Sequence, residues 1–406
     1  MTNPYRELLT TPGVMGLAIA SSIARLPQAM IGIGIITLLV QQRSLYWLAG
    51  AVAATYTLAT ALIGPQVSKL VDQRGQSRVL PLVTAFSIAM LLALMIAAYM
   101  RVSALLLFIL AALAGTTPNM PAMIRARWIE LFRDKPQLHT AFSFDSVLTE
   151  LAYIVGPPFA IGLSTSVFAE AGPLVAVLLL VIGVTAFILQ RRTEPKVVMS
   201  TGESESSTLR IPGLRIIFLA LLATGVIGGS IDVAVVAFAN AQDWPMAASF
   251  ILAAYALGSM TAGLAFGALR IALPIERQLL VGILVTAVTA ILPILSPDVY
   301  IMTGVIFVAG LSFAPTMVIV LNLGTIIVPP SKLTEGLTWM TTGISIGVAL
   351  GGALAGQIID AYGARAGFCV AIAAGLAMVV VVLIGLRTLR AASATHSAFL
   401  TPPRAG

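Results

Sequence analysis

Four charged side chains, Arg25, Asp145, Glu150 and Asp232, fall inside stretches that are otherwise apolar. A charge held in hydrocarbon costs at least about 2.5–3.5 kcal/mol, so each needs a partner or a task. At 1.5 Å of rise per residue, Arg25 lies about 18 Å into its stretch and Glu150 about 14 Å into its own. The matching depths predict an Arg25–Glu150 ion pair. Asp145 precedes Glu150 by five residues, about 140° around a helix. It is therefore expected to find a different partner or to reach for solvent. Asp232 stands among Gly225, Gly228 and Gly229, where small residues admit a neighbouring helix, and Arg25 is the one embedded cation that could meet it. The chemistry open to these carboxyls is proton carriage, because burial and ion pairing act oppositely on a carboxyl's hold on its proton. A permanent structural ion pair is the competing reading.

Other polar residues line up with these charges. Ser21, Arg25 and Gln28 share one helical face, and Ser143, Ser146, Glu150 and Tyr153 share another. Asn119, Asn322, Thr341 and Ser345, the last two on one face with Thr338 and Thr342, complete the cavity candidates, although many such hydroxyls bond only their own helix backbone. Gly156, Pro157 and Pro158 follow Glu150, where the prolines bend or stiffen a helix and the glycine admits a neighbour, as a gate or an ordinary kink. Gly343, Gly347 and Gly351 recur every fourth residue, as in a packing seam. No GxxxxGK[ST] loop is present, so no nucleotide cofactor is expected, and no nucleophile, base and orienting group cluster as in an enzyme. His139 and His396 lie outside the apolar stretches and Cys369 inside the last, which predicts no metal site and no intrachain disulfide.

The elements that must position these residues are membrane helices. Apolar residues make up 59% of the 406 and charged residues only 10%, against roughly one quarter charged in soluble domains. At about 20 residues per crossing, the apolar stretches predict twelve spans: 14–40, 46–67, 79–100, 103–124, 141–167, 172–190, 216–240, 246–269, 276–295, 299–328, 336–359 and 366–386. With the N-terminus inside, 19 of the 23 Lys and Arg fall in cytoplasmic segments and 3 in the opposite loops. The positive-inside rule thus predicts that both termini are cytoplasmic. The net charge of +7 belongs to those loops, and no basic tract suggests nucleic acid. Nothing at the N-terminus reads as a cleaved signal.

The expected organisation is a six-helix half over 1–190, a cytoplasmic linker over 191–213, a second six-helix half over 214–387 and a disordered tail over 388–406. At an offset of 195, Gly115 aligns with Gly310 and Gly156 with Gly351, a faint internal repeat. The loop GPQVSKLVDQRGQSR, residues 64–78, places Asp72, Gly75 and Arg78 in a short basic connection between spans 2 and 3, with Arg74 displaced by one position and Gln73, Gln76 and Ser77 uncharged. That loop, with the span count and the linker, resembles the major facilitator superfamily.

The resemblance implies an all-α membrane protein of twelve transmembrane helices in two pseudo-symmetric six-helix bundles. It also implies a latching role for the loop, in which Asp72, Arg74, Gly75 and Arg78 close one face of the molecule. Gly156 with Pro157 partly matches a marker of the family's exporters. The arginine that proton-antiporting members carry in mid-span 4 is replaced here by Ala111, leaving Arg25 as its substitute. The expected function is export of a small apolar or cationic compound, by proton antiport with alternating access, from the plasma (inner) membrane. Embedded acids outnumber bases three to one, which favours neutral or positive cargo. The expected partners are the substrate, protons and the lipid bilayer, with the chain as a monomer. The alternatives are an importer or facilitator of a sugar, amino acid or other metabolite, and a receptor or scaffold.

Overall fold

The computed structural model describes residues 4–132, 135, 137–195, 210–268, 273–328 and 333–400, and every regular element among them is helical. The chain divides into two compact units, Met1–Thr201 with Ala248–Ala253, and Gly202–Ala247 with Ala254–Gly406. The first holds α1 (Pro4–Thr10), α2 (Val14–Arg43), α3 (Tyr46–Arg74), α4 (Gln76–Tyr99), α5 (Ala104–Ala114), α6 (Met120–Leu131), α7 (Gln137–Ser166) and α8 (Ala171–Leu189). In the second part of the chain follow α9 (Pro212–Ala241), α10 (Ala247–Ala268), α11 (Ile275–Thr289), α12 (Val299–Ile327), α13 (Leu333–Tyr362) and α14 (Phe368–Leu400).

Eleven of the described helices are long and apolar enough to cross a membrane. The span expected as one helix over 103–124 is instead two: α5 ends at Ala114 and α6 begins at Met120. Pro118 offers no backbone donor at the break, and the Asn119 side chain caps α6 by accepting from the Ala122 N–H at 3.4 Å. The protein is an all-α membrane protein of two six-helix bundles, its fourth crossing interrupted.

At the other end of the chain α14 continues to Leu400, so residues 388–400 are helical where disorder is expected from sequence. The Ala-rich run Arg390–Ala394 has the propensity for this. Residues 401–406, and most of the expected linker (196–209), lie outside the described residues.

Close helix contacts rest on glycine. In the first unit a Cβ on Gly183 would lie 2.5 Å from the Ala24 Cα of α2, and one on Gly156 3.0 Å from the Ala29 Cβ. Despite Pro157 and Pro158, α7 runs unbroken through this contact. In the second unit α9 and α13 meet backbone to backbone. A Cβ on Gly229 would sit 2.1 Å from the Val348 carbonyl oxygen, and one on Gly347 2.0 Å from that of Leu222. The glycines at every fourth position of α13 are thus the floor on which α9 lies, the small-residue packing that membrane helices use in place of a hydrophobic drive.

Candidate functional site

In the first unit Arg25 of α2 and Asp145 of α7 form a buried ion pair, Nη2 to Oδ1 at 2.6 Å, with side chains 2% and 1% exposed. Arg25 Nη1 also donates to the Asp145 carbonyl at 2.8 Å and to the Thr149 hydroxyl, and Nε donates to the Ser21 carbonyl at 3.1 Å. From α6, the Trp128 indole N–H donates to Asp145 Oδ1 at 3.2 Å, and Arg125 Nε stands 3.5 Å from Oδ2. Asp145 Oδ2 is buried without a hydrogen-bond partner among the described residues.

The partner of Arg25 is therefore Asp145, and the expectation that Asp145 reaches for solvent is corrected. Helical side chains lean toward the N-terminus of their helix. The long guanidinium stem meets α7 more than a turn before the level at which matched Cα depths place it. The side chain of Glu150 lies outside the described residues.

Two residues on, Arg127 does a different job. It is fully buried, and its Nη1 donates to the carbonyls of Phe187 at 2.7 Å and Gln190 at 2.9 Å and to the Thr193 hydroxyl at 2.9 Å. Its Nε donates to Gln76 Oε1 at 2.8 Å, and its guanidinium carbon lies 3.7 Å from the Phe187 ring centroid. A cation at the C-terminal carbonyls of α8 suits the helix dipole, and so does Glu194 Oε1, which accepts from the Ser77 N–H at 2.8 Å at the start of α4. Burial pushes the Arg127 guanidinium down to about 10 against the opposing pull of Glu194, so it stays charged at neutral pH. In the positive-inside count, both α6 arginines, Arg125 and Arg127, are simply two of the 19 cytoplasmic charges. A buried arginine facing helix-end carbonyls has no periodicity signature, and the nearest clue was Gln76 in place of a charge.

In the second unit Asp232 of α9 is half-buried and makes no ion pair or hydrogen bond among the described residues. Gly225 and Gly229 abut α13, whereas a Cβ on Gly228, one turn before Asp232, would meet nothing within 4 Å. Tyr255 of α10 lies within electrostatic range of Asp232, and its ring is 5.7 Å from that of Phe313. Tyr255 also lines a narrow, partly open cleft with room for little more than a water molecule, alongside Ile227, Ile231, Ala309 and the hydroxyls of Thr286, Thr289 and Ser312. Those hydroxyls are bridged between α11 and α12: Thr289 to Ser312 at 3.3 Å and Thr286 to Thr316 at 3.2 Å.

The first unit has a counterpart. Tyr56 donates to Thr117 Oγ1 at 3.3 Å, and Ser87 and Thr117 share a bond of 2.6 Å. In each unit a glycine presses on the tyrosine's own helix. A Cβ on Gly115 would lie 3.0 Å from the Tyr56 carbonyl oxygen, and one on Gly310 2.2 Å from that of Tyr255.

The remaining cavity candidates scatter. Gln28, Asn119, Asn322 and Thr341 are exposed, and Tyr153 is 49% exposed. Thr341 donates to the Thr338 carbonyl at 2.9 Å and Ser345 to the Thr341 carbonyl at 3.1 Å, both within α13. The structure brings Arg25 and Asp145 together in the first unit and holds Asp232 in the second.

Comparison with known proteins decides the frame. A sequence model described as Major Facilitator Superfamily matches residues 17–270, more than half of the chain. The chain belongs to the major facilitator superfamily. Among solved structures it is similar to the peptide transporter POT in complex with sulfate, at 13% identity with a TM-score of 0.74 over 97% of this chain and 99% of that one. It is also similar to the nucleoside transporter NupG, at 14% identity with a TM-score of 0.68 over 93% and 99%. A bacterial homolog of the human lysosomal transporter Spinster, inward-facing and unoccupied, matches at 14% identity with a TM-score of 0.61 over 99% and 100%. At such identities the likeness is one of fold. No curated protein matches by sequence.

The superfamily's loop between the second and third crossings is a tight turn here. Gly75 has φ 88° and ψ 149°, and its N–H donates to the Val71 carbonyl at 2.7 Å to close α3. Arg74 and Arg78 flank it and are exposed, and the Asp72 side chain lies outside the described residues.

Proposed function

We propose that this superfamily transporter exports a small apolar or cationic compound by proton antiport, its two halves alternating access to the substrate. The observation that carries the reading is the contrast between the two embedded aspartates. Asp145 is held by Arg25 at 2.6 Å, whereas Asp232 is half-buried with no described partner. A carboxylate locked to an arginine already has its counter-charge in place. One without a counter-ion in a low-dielectric setting is free to take up a proton, or a cation, and to give it back when its surroundings change. Asp232 is the proton carrier in this reading, with Glu150 as a second candidate on α7. Arg25 and Asp145 hold the basic end of the first half together, and the loop around Asp72, Arg74, Gly75 and Arg78 latches it, with Gly156 and Pro157 as the hinge of α7.

Reconstitution into liposomes tests this. An imposed pH gradient is expected to drive flux of a small lipophilic amine, and Asp232→Asn to abolish it. Flux indifferent to the gradient, together with unchanged transport in Asp232→Asn and Glu150→Gln, would remove proton coupling. The similarity to a nucleoside and a peptide transporter favours one second reading, uptake of a polar metabolite. Deleting the protein should then lower cellular accumulation of its substrate rather than raise it.

A further inference from the structure

The short helix α1 is too short to cross a membrane, yet it is folded against the first unit. Leu8 is fully buried and Leu9 half-buried, while Glu7 and Thr10 are exposed. Leu8 enters an apolar cluster with Leu17 of α2, Trp128 of α6, Ala141 of α7 and Phe187 of α8, and Phe132 stacks beside Trp128. Leu17 precedes Arg25 by about two turns of α2, and Ala141 precedes Asp145 by about one turn of α7. The cluster therefore lies between the Arg25–Asp145 pair and the end of the unit at which α1 sits. Trp128 joins the two layers, because its ring belongs to the cluster and its indole N–H donates to Asp145 Oδ1 at 3.2 Å.

The attachment of α1 is slight. Among the described residues its side chains offer the Leu8 anchor and one bond across to another helix, Gln137 Nε2 donating to the exposed Glu7 Oε1 at 3.0 Å. Behind α1 the chain turns at Gly13, whose φ of 91° suits glycine. A short element with few buried contacts and exposed hydrogen bonds opens at low cost. Beneath it the ion pair is dry, with side chains 2% and 1% exposed. Water reaching the pair would raise the local dielectric and weaken its attraction, and Asp145 Oδ2, without a hydrogen-bond partner among the described residues, is an acceptor open to that water.

We propose that α1 is a hinged lid, turning about Gly13, whose closed position keeps water from the Arg25–Asp145 pair and so keeps α2 clamped to α7. The proposal is independent of the direction and coupling of transport. Seating Leu8 dries the pair and tightens the clamp. Lifting it wets the pair and loosens the contact between the two helices.

The test uses the purified full chain carrying Cys369→Ser and one introduced thiol, either Ala141→Cys under the lid or Ala355→Cys, at an equally buried position in the second unit. The rate of modification by a small cationic methanethiosulfonate is followed for each. The thiol at 141 is expected to react slowly, and about tenfold faster once Leu8→Ser unseats the lid. Gly13→Ala should also speed it, since the added methyl meets Thr193 at an ordinary 3.5 Å and the strain falls on the hinge backbone. The thiol at 355 should keep its rate in both variants. For the clamp, the melting temperature of Leu8→Ser should depend on salt more steeply than that of the parent, because a wetted ion pair is screened. That difference should vanish in an Arg25→Met/Asp145→Leu background. An unchanged rate at 141 in both lid variants, or an equal rise at 355, overturns the lid. A salt dependence that Leu8→Ser leaves unaltered, or an increase that persists without the pair, overturns its role in keeping the pair dry.

Discussion

The Arg25–Asp145 pair shows what burial does to two charges that meet. Removing one partner strands the other in a dry interior, which typically costs about 3–5 kcal/mol, while replacing both with apolar side chains is often near neutral. Asp145→Leu is therefore expected to lower the melting temperature of the detergent-purified protein sharply, and Arg25→Met/Asp145→Leu to recover most of the loss. Equal destabilisation by the single and double variants would mean that the pair itself is not what holds α2 to α7. Arg127 makes a different forecast. Its four acceptors span the end of α8, the start of α4 and Thr193, a fork that a lysine cannot reproduce. Arg127→Lys should cost about 1–3 kcal/mol through carbonyls left without donors, read as a lower unfolding midpoint, with Arg127→Leu costing more. Arg25 could be picked out from sequence because a charge in an apolar run stands out. Its partner could not, because the reach of a seven-atom side chain shifts the contact by more than a turn. Arg127 was hidden because its acceptors are backbone carbonyls, which carry no residue identity.

At the scale of helices, packing is decided by where backbones touch. The Gly225–Gly229 and Gly347–Gly351 faces of α9 and α13 leave no room for a side chain, since an added Cβ would lie within about 2.2 Å of a carbonyl oxygen on the facing helix at each of the four. Gly229→Leu or Gly347→Leu should therefore prevent assembly of the second unit, seen as loss of the monodisperse peak on size-exclusion chromatography. Gly228→Ala, whose Cβ meets nothing within 4 Å, should leave that peak unchanged. A normal elution profile for Gly229→Leu would sink this account of the α9–α13 contact. The glycine spacing made this seam readable in advance, because a four-residue period puts every member on one helix face. The break in the fourth crossing was less readable. Mean hydropathy over 103–124 averages across Gly115–Asn119, and the signals that do mark the break, Pro118 and a capping Asn119, are local. The extension of α14 was missed for the opposite reason: a tail rich in alanine looks unremarkable by charge yet favours helix once a preceding helix nucleates it.

For the molecule as a whole, composition pointed to the class and the span count with the linker to the plan, while geometry gave the faint repeat its meaning. Gly115 and Gly310, 195 residues apart, press on the helices of Tyr56 and Tyr255, and each unit ties its tyrosine-bearing region together with bridged hydroxyls. That shared node is a mark of two halves built on one plan. Which way the plan sits in a membrane rests on the charge split alone, 19 basic residues against 3, and it is open to direct measurement. Cys369 is the single cysteine, so Cys369→Ser gives a background in which one introduced thiol reports one place. Arg192 is exposed beyond the end of α8, and Tyr362, 82% exposed, ends α13 at the opposite side of the expected topology. In intact cells a membrane-impermeant maleimide is expected to label Tyr362→Cys, and to label Arg192→Cys only after permeabilisation. The reverse pattern would invert the orientation.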